Sequence, residues 1–89
     1  ARFGTEREEI LERLLVLKTC FRDALIFRET KERERLIFQD RTEAIRTLAE
    51  RLSGRNLIHN IAEIEAAADA IDKNVNKMLT LESMLIKFA

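Results

Sequence analysis

Few residues in this chain have the chemistry for catalysis or ligation. Cys20 is the one cysteine and His59 the one histidine among 89 residues. A lone cysteine excludes an internal disulfide and a cysteine-based zinc cage. His59 has no Cys or His companion, so it reads as a surface or boundary residue rather than a metal ligand. Ser53 and His59 have no partner arrangement that argues for nucleophilic catalysis. Glu8, Glu9 and Glu12 fall in the acidic first turn of a helix, where the helix dipole favours carboxylates without any acid–base role. No Glu-x-x-His pair offers a di-metal site. Arg28, Lys31, Arg33 and Arg35 cluster, but Glu29, Glu32 and Glu34 alternate with them. Lys plus Arg and Asp plus Glu stand at 16 each, so no net charge draws the chain to nucleic acid or an anionic membrane. The expectation is a binding domain that is not itself an enzyme, with no cofactor and no metal.

Binding of that kind depends on the elements that present apolar surface. Proline is absent and the glycines are only Gly4 and Gly54. With abundant Glu, Arg, Leu, Ala and Ile, this scarcity of breakers predicts an all-α fold, a small antiparallel bundle of about four or five helices. The whole chain, residues 1–89, is read as a single domain. Charged residues make up 36 % and hydrophobic ones 46 %, a patterned composition rather than a disordered one. No apolar run approaches the roughly 18 residues of a membrane span, and no signal peptide opens the chain. A cytoplasmic, reducing setting fits the single cysteine. The start Ala1-Arg2-Phe3-Gly4 lacks a Met, as expected of a fragment of a larger protein.

Thr5-Glu6-Arg7-Glu8 has the spacing of a capping box. A first helix follows to about Arg28, with Ile10, Leu14, Leu17, Phe21 and Leu25 on one stripe and Leu11 and Leu15 widening it. Glu29–Arg35 reads as a solvated loop, and Leu36-Ile37-Phe38 dips back to the core. Asp40 is the expected N-cap of helix two, about Arg41 to Leu52, which buries Ala44, Ile45, Leu48, Ala49 and Leu52, with Arg46 and Glu50 placed to pair. Ser53-Gly54 breaks the chain, able to end one helix and cap the next. Helix three, about Arg55 to Lys73, carries the seam Leu57, Ile61, Ile64, Ala68, Ile71 and Val75. Asn74 then stops one helix and Asn76 starts the next, with Val75 pointing back at the core. Helix four offers Met78, Leu81, Leu85 and Phe88 on one stripe, flanked by Leu79 and Ile86, with Glu82 on that flank. A segment this apolar must pack on its own bundle or on another chain.

The order Asn74, Val75, Asn76, Leu79, Leu81, Glu82, Leu85, Phe88 resembles the C-terminal region of the delta-prime subunit of the bacterial DNA polymerase III clamp loader. Phe21-Arg22-Asp23-Ala24-Leu25-Ile26-Phe27-Arg28 is similar to the aromatic-Arg-Asp-apolar segment of that family's first C-terminal helix. Leu36-Ile37-Phe38-Gln39-Asp40 is similar to its apolar-Ile-Asn-x-Asp step. The match runs over about residues 10 to 88, with Lys77 where the family often has proline and Phe21 where it commonly has Trp. The resemblance implies a collar-type oligomerisation domain, whose partners are the other clamp-loader subunits and which meets DNA only indirectly and no membrane. Its parent would belong to the DNA polymerase III holoenzyme, with an ATPase-type module that this sequence lacks, having no Gly-x-x-x-x-Gly-Lys-Ser/Thr loop. Under that reading the interface draws on Ile10, Leu11 and Leu15 of the first helix and Leu79, Glu82 and Ile86 of the last, and the isolated domain is monomeric or weakly self-associating. The alternative is a free-standing helical adaptor that dimerises through the helix-three seam.

Overall fold

The computed structural model describes residues 6–89. Four α-helices follow one another, α1 (Glu6–Thr30), α2 (Thr42–Arg51), α3 (Gly54–Asp72) and α4 (Lys77–Lys87), with single 3-10 turns at Arg33–Arg35 and Gln39–Arg41. The described chain is an all-α bundle. Thr5, the expected cap of the first helix, lies outside the described residues.

The helix α1 runs through Thr30 and ends where Lys31 takes a left-handed φ of 59°. At that end the Lys31 ammonium lies 5.9 Å from the ring centre of Phe27. Side-chain bonds between helices give the chain direction of each. Arg7 near the start of α1 donates to the Asp72 carbonyl at the end of α3. Lys18 pairs with Glu65 at 3.8 Å, and Leu25 sits beside Gly54 at the start of α3. So α1 and α3 are antiparallel. By contrast α2 begins just after Phe38, whose amide bonds Asp23 of α1 at 2.8 Å, and ends where the Arg28 guanidinium donates to the Ala49 and Leu52 carbonyls, at 2.7 and 3.2 Å. It therefore runs alongside α1 in the same direction, and residues 31–41 must double back to allow it. Arg28 thereby satisfies carbonyls that the end of α2 leaves without an internal partner.

The return segment is fastened by one carboxylate. Asp23, fully buried in the middle of α1, accepts from the amides of Ile37 (3.0 Å) and Phe38 (2.8 Å) and from Arg22 (2.7 Å). Two segments of the family resemblance, Phe21–Arg28 and Leu36–Asp40, are thus bonded to each other. Holding Ile37 and Phe38 drops Leu36 into the core. Asp40 does not cap helix two. Residues 39–41 form a 3-10 turn, the N-cap position falls to Arg41, and no side chain caps it. Thr42 Oγ1 instead donates to the Gln39 carbonyl. Arg46 pairs with Glu43 one turn back rather than with Glu50, and Ala44 is exposed. At the next junction Ser53 caps α3 by accepting from Asn56 N at 3.1 Å.

The core joins Leu14, Phe21, Ala24 and Phe27 of α1, Leu36, Ile45 and Ala49, then Leu57, Ile64, Ala67 and Ile71 of α3, and Met84 of α4. The inner face of α3 is therefore Leu57, Asn60, Ile64, Ala67 and Ile71, turned from the expected seam so that Ile61 and Ala68 sit at its margin. The domain is thin, 40 × 31 × 15 Å, with a radius of gyration of 14.1 Å. A compact domain of this length would have about 12 Å. A slab this thin cannot enclose all of its apolar side chains, and the excess concentrates on one helix.

Candidate assembly surface

That helix, α4, is fixed at both ends. At its start Asn74 adopts φ 65°. Its amide donates to the Ile71 carbonyl and that of Val75 to the Ala70 carbonyl, both at 3.0 Å. This bond pair closes a helix that ends on a left-handed residue, a conformation asparagine tolerates better than other side chains. Two residues on, the Asn76 carboxamide accepts from Leu79 N at 2.9 Å as the N-cap of α4. Asn76→Ala is expected to lower stability by about 1 kcal/mol. Asn74→Val, which puts a β-branched side chain at positive φ, should cost about 1–2 kcal/mol, whereas Asn74→Gly should cost little. Urea titration of the three variants checks this order.

At the far end the chain after α4 lies on α3. His59 Nε2 is 2.7 Å from the Lys87 carbonyl. Asn60, 1 % exposed, accepts from Ala89 N at 2.8 Å and donates to Ala89 O at 3.5 Å, so one side-chain amide holds both backbone groups of one residue. Between these bonds Phe88 stands edge-on to Phe21, ring centres 5.6 Å apart and planes perpendicular, a favoured aromatic geometry. Antiparallel packing of α4 on α3 follows.

With both ends held, the rotation of α4 is set. Its inner face is Leu81, Met84 and Phe88. Five apolar side chains face solvent at the corner and along the helix: Val75 49 %, Met78 66 %, Leu79 65 %, Leu85 61 % and Ile86 83 % exposed. Single exposed aliphatics are ordinary; a contiguous group is not. Glu82 is at the centre of this face, three residues from Leu79 and Leu85 and four from Met78 and Ile86, so all four side chains surround it.

The expected interface residues are placed as follows. Leu79, Glu82 and Ile86 share the outer face of α4. Leu15 is 57 % exposed on α1, while Ile10 and Leu11 are half-buried against the core. Three expectations change. Val75 does not point at the core: the tight corner swings it outward. Met78 and Leu85 leave the inner stripe and Met84 replaces them, because Phe88 on Phe21 and the Asn76 cap together fix the phase of the helix. The structural part played by Asn60 is not among the sequence expectations, although its place between Leu57 and Ile64 on the inner face was a usable signal.

Two grooves flank α3. One, about 310 Å³, lies between α3 and α4 over Ala66, Ala67 and Ala70, with Val75 and Leu79 at its rim. The other, about 240 Å³, lies between α1 and α3 and is lined by Leu11, Leu14, Leu15, Ile64 and Ala68, with Lys18 and Glu65 beside them. No group of three or more His, Cys, Asp or Glu among the described residues could hold a metal. No described helix is long and apolar enough to cross a membrane. Burial, with a smaller push from Asp23 and against a pull from Arg41, raises the Cys20 thiol above its ordinary value, so it stays protonated at neutral pH. What the described surface offers is apolar helix faces.

Comparison with protein families matches residues 4–89 to the family described as DNA polymerase III, delta subunit, C terminal. No curated protein and no solved structure matches the chain. Since the match takes in every described helix, the chain belongs to the family of C-terminal domains of the DNA polymerase III delta subunit.

Proposed function

We propose that this domain is the collar domain of a DNA polymerase III clamp-loader subunit, of delta-prime type. It would join neighbouring subunits so that their ring holds while ATPase-type modules open the sliding clamp. The observation that carries the reading is the outer face of α4: the helix packs Leu81, Met84 and Phe88 inward and still exposes Met78, Leu79, Leu85 and Ile86. A helix that is apolar on both sides is stable in water only when both sides are covered. Family membership supports neighbouring clamp-loader subunits as the cover. The delta-prime type rests on the residue pattern around Asn74 and Asn76, since the family is described by the delta subunit. DNA contact is indirect in this reading, as the balanced charge allows.

The experiment is reconstitution with the cognate clamp-loader subunits. Leu79→Asp and Ile86→Asp should leave helix content and thermal midpoint unchanged, because both residues are exposed, yet weaken copurification by more than about tenfold. Copurification equal to that of the parent would remove α4 as the assembly face. The adaptor reading has less support, because Leu57, Ile64 and Ile71 of the α3 seam are consumed inside the fold, each at most 1 % exposed.

A further inference from the structure

We propose that the groove between α1 and α3 receives the outer face of α4 from a second copy of this chain, so that copies associate head to tail. The proposal rests on the reading of α4 as an assembly face and names one occupant for the surface that would complement it. The two surfaces belong to different sides of the molecule. On the helical wheel of α3, Glu63, Ala66 and Ala70, which line the groove beside α4, fall opposite Glu65 and Ala68, which line the groove beside α1. A molecule can therefore offer its α4 to one neighbour while its α1–α3 groove accepts another.

Shape and charge both match. The groove of about 240 Å³ is floored by leucine, isoleucine and alanine. An apolar cavity of about 150 Å³ takes a benzene-sized group, so this one has room for one or two aliphatic side chains from Leu79, Leu85 or Ile86. Glu82 is the single charge inside the exposed apolar quartet and makes no ion pair among the described residues. Lys18 is the cation lining the groove, one turn from Leu14 and Leu15, and its ion pair to Glu65 is long at 3.8 Å. Setting Glu82 against Lys18 lays the α4 quartet over Leu11, Leu14 and Leu15. The α4 helix would then be covered on both faces, by its own α3 and by the neighbour's groove. The exposed quartet offers on the order of several hundred Å², short of the roughly 800 Å² per partner in a standard stable interface. Self-association is therefore weak. Because donor and acceptor surfaces differ, it is also open-ended rather than a closed two-fold dimer.

Sedimentation equilibrium of the 89-residue chain from about 10 µM to about 1 mM tests this. The weight-average mass should climb with concentration past that of a dimer. Leu15→Asp spoils the groove and Ile86→Asp spoils the inserted helix. Both residues are exposed, and unchanged circular dichroism verifies folding. Each variant alone should stay monomeric, whereas an equimolar mixture should form dimers and nothing larger, since only one sound groove and one sound α4 face can meet. Glu82→Lys should reduce association more than about threefold, and Lys18→Glu in the same chain should restore it. A parent that stays monomeric throughout, or a dimer that Leu15→Asp leaves intact, overturns the proposal. If the parent stays monomeric while Ile86→Asp still loses the cognate subunits, self-docking alone falls and the assembly reading stands. If Ile86→Asp keeps those subunits while the parent associates head to tail, the assembly reading alone falls.

Discussion

Asp23→Ala is expected to lower the unfolding free energy by about 2–4 kcal/mol, which for a domain of this size is a drop in thermal midpoint of roughly 10–25 °C. The substitution removes the acceptor of two backbone amides, Ile37 and Phe38, that have no other partner in the segment. Each amide left unsatisfied costs about 1–3 kcal/mol where water cannot reach it, and less where it can. Ile37 is 61 % exposed, so its amide should recover part of that loss. Arg22 also loses its carboxylate, but its side chain is 43 % exposed and can turn to solvent. The loop would then release Leu36, 3 % exposed in the parent, and with it the doubling-back that lets α2 lie along α1. Asp23→Asn should retain a fraction of the stability, because one oxygen can still accept while the amide nitrogen faces a donor. Arg22→Ala should cost less than either. Thermal and urea denaturation of the three variants gives the ranking, and an Asp23→Ala chain as stable as the parent would show that the return segment is held by packing alone.

Asn60→Asp is expected to make stability depend on pH in a way the parent does not. Asn60 is buried between α3 and the segment after α4. The introduced carboxyl would face the Ala89 carbonyl, to which the amide nitrogen donates in the parent, and no lysine or arginine among the described residues bonds to this position. Burial with no cation bonded to it raises a carboxyl pKa in the folded state above the unfolded value of about 3.9. The folded chain then binds more protons than the unfolded chain, so stability falls as pH rises. Below about pH 4 the carboxyl is neutral in both states and the variant should approach the parent. Above that value the loss grows until the folded-state pKa is passed, reaching about 3–4 kcal/mol near neutrality. The α4 helix is the element that loosens, so binding of cognate subunits should fall over the same pH range. Denaturation curves for variant and parent from about pH 4 to about pH 8 measure the difference. A constant gap across that range would place water beside Asn60 and rule out the dry clasp.

Much of the fold is legible because it depends on contacts between residues a turn apart. The helix cap at Ser53, the left-handed Asn74 and the N-cap Asn76 all work through bonds to residues within five positions, and their side chains imply their roles. Helix number and approximate bounds follow from the same local rules. The first helix extends two residues past its expected end because Thr30 Oγ1 bonds back to the Ile26 carbonyl, a local bond that polar composition alone does not reveal. Asp40 shows the reverse case: its residue type suits a cap, but the 3-10 turn set by the Asp23 anchor moves the helix start past it.

Residue types and their spacing were enough to define the class of the molecule: all helical, charge-balanced, and ending in an apolar helix launched from an asparagine corner. Which side of each helix faces inward came from the folded chain. Asp23 meets amides 14 and 15 residues away, and Asn60 meets Ala89 across 29. The Asp23 bonds seat the return segment beside α1, while the Asn60 clasp, the Phe88–Phe21 contact and the Asn76 cap fix the rotation of α4, turning Met84 in and Met78 and Leu85 out. Helical periodicity gives the spacing of a stripe, whereas its phase on the finished molecule depends on partners that only folding brings together.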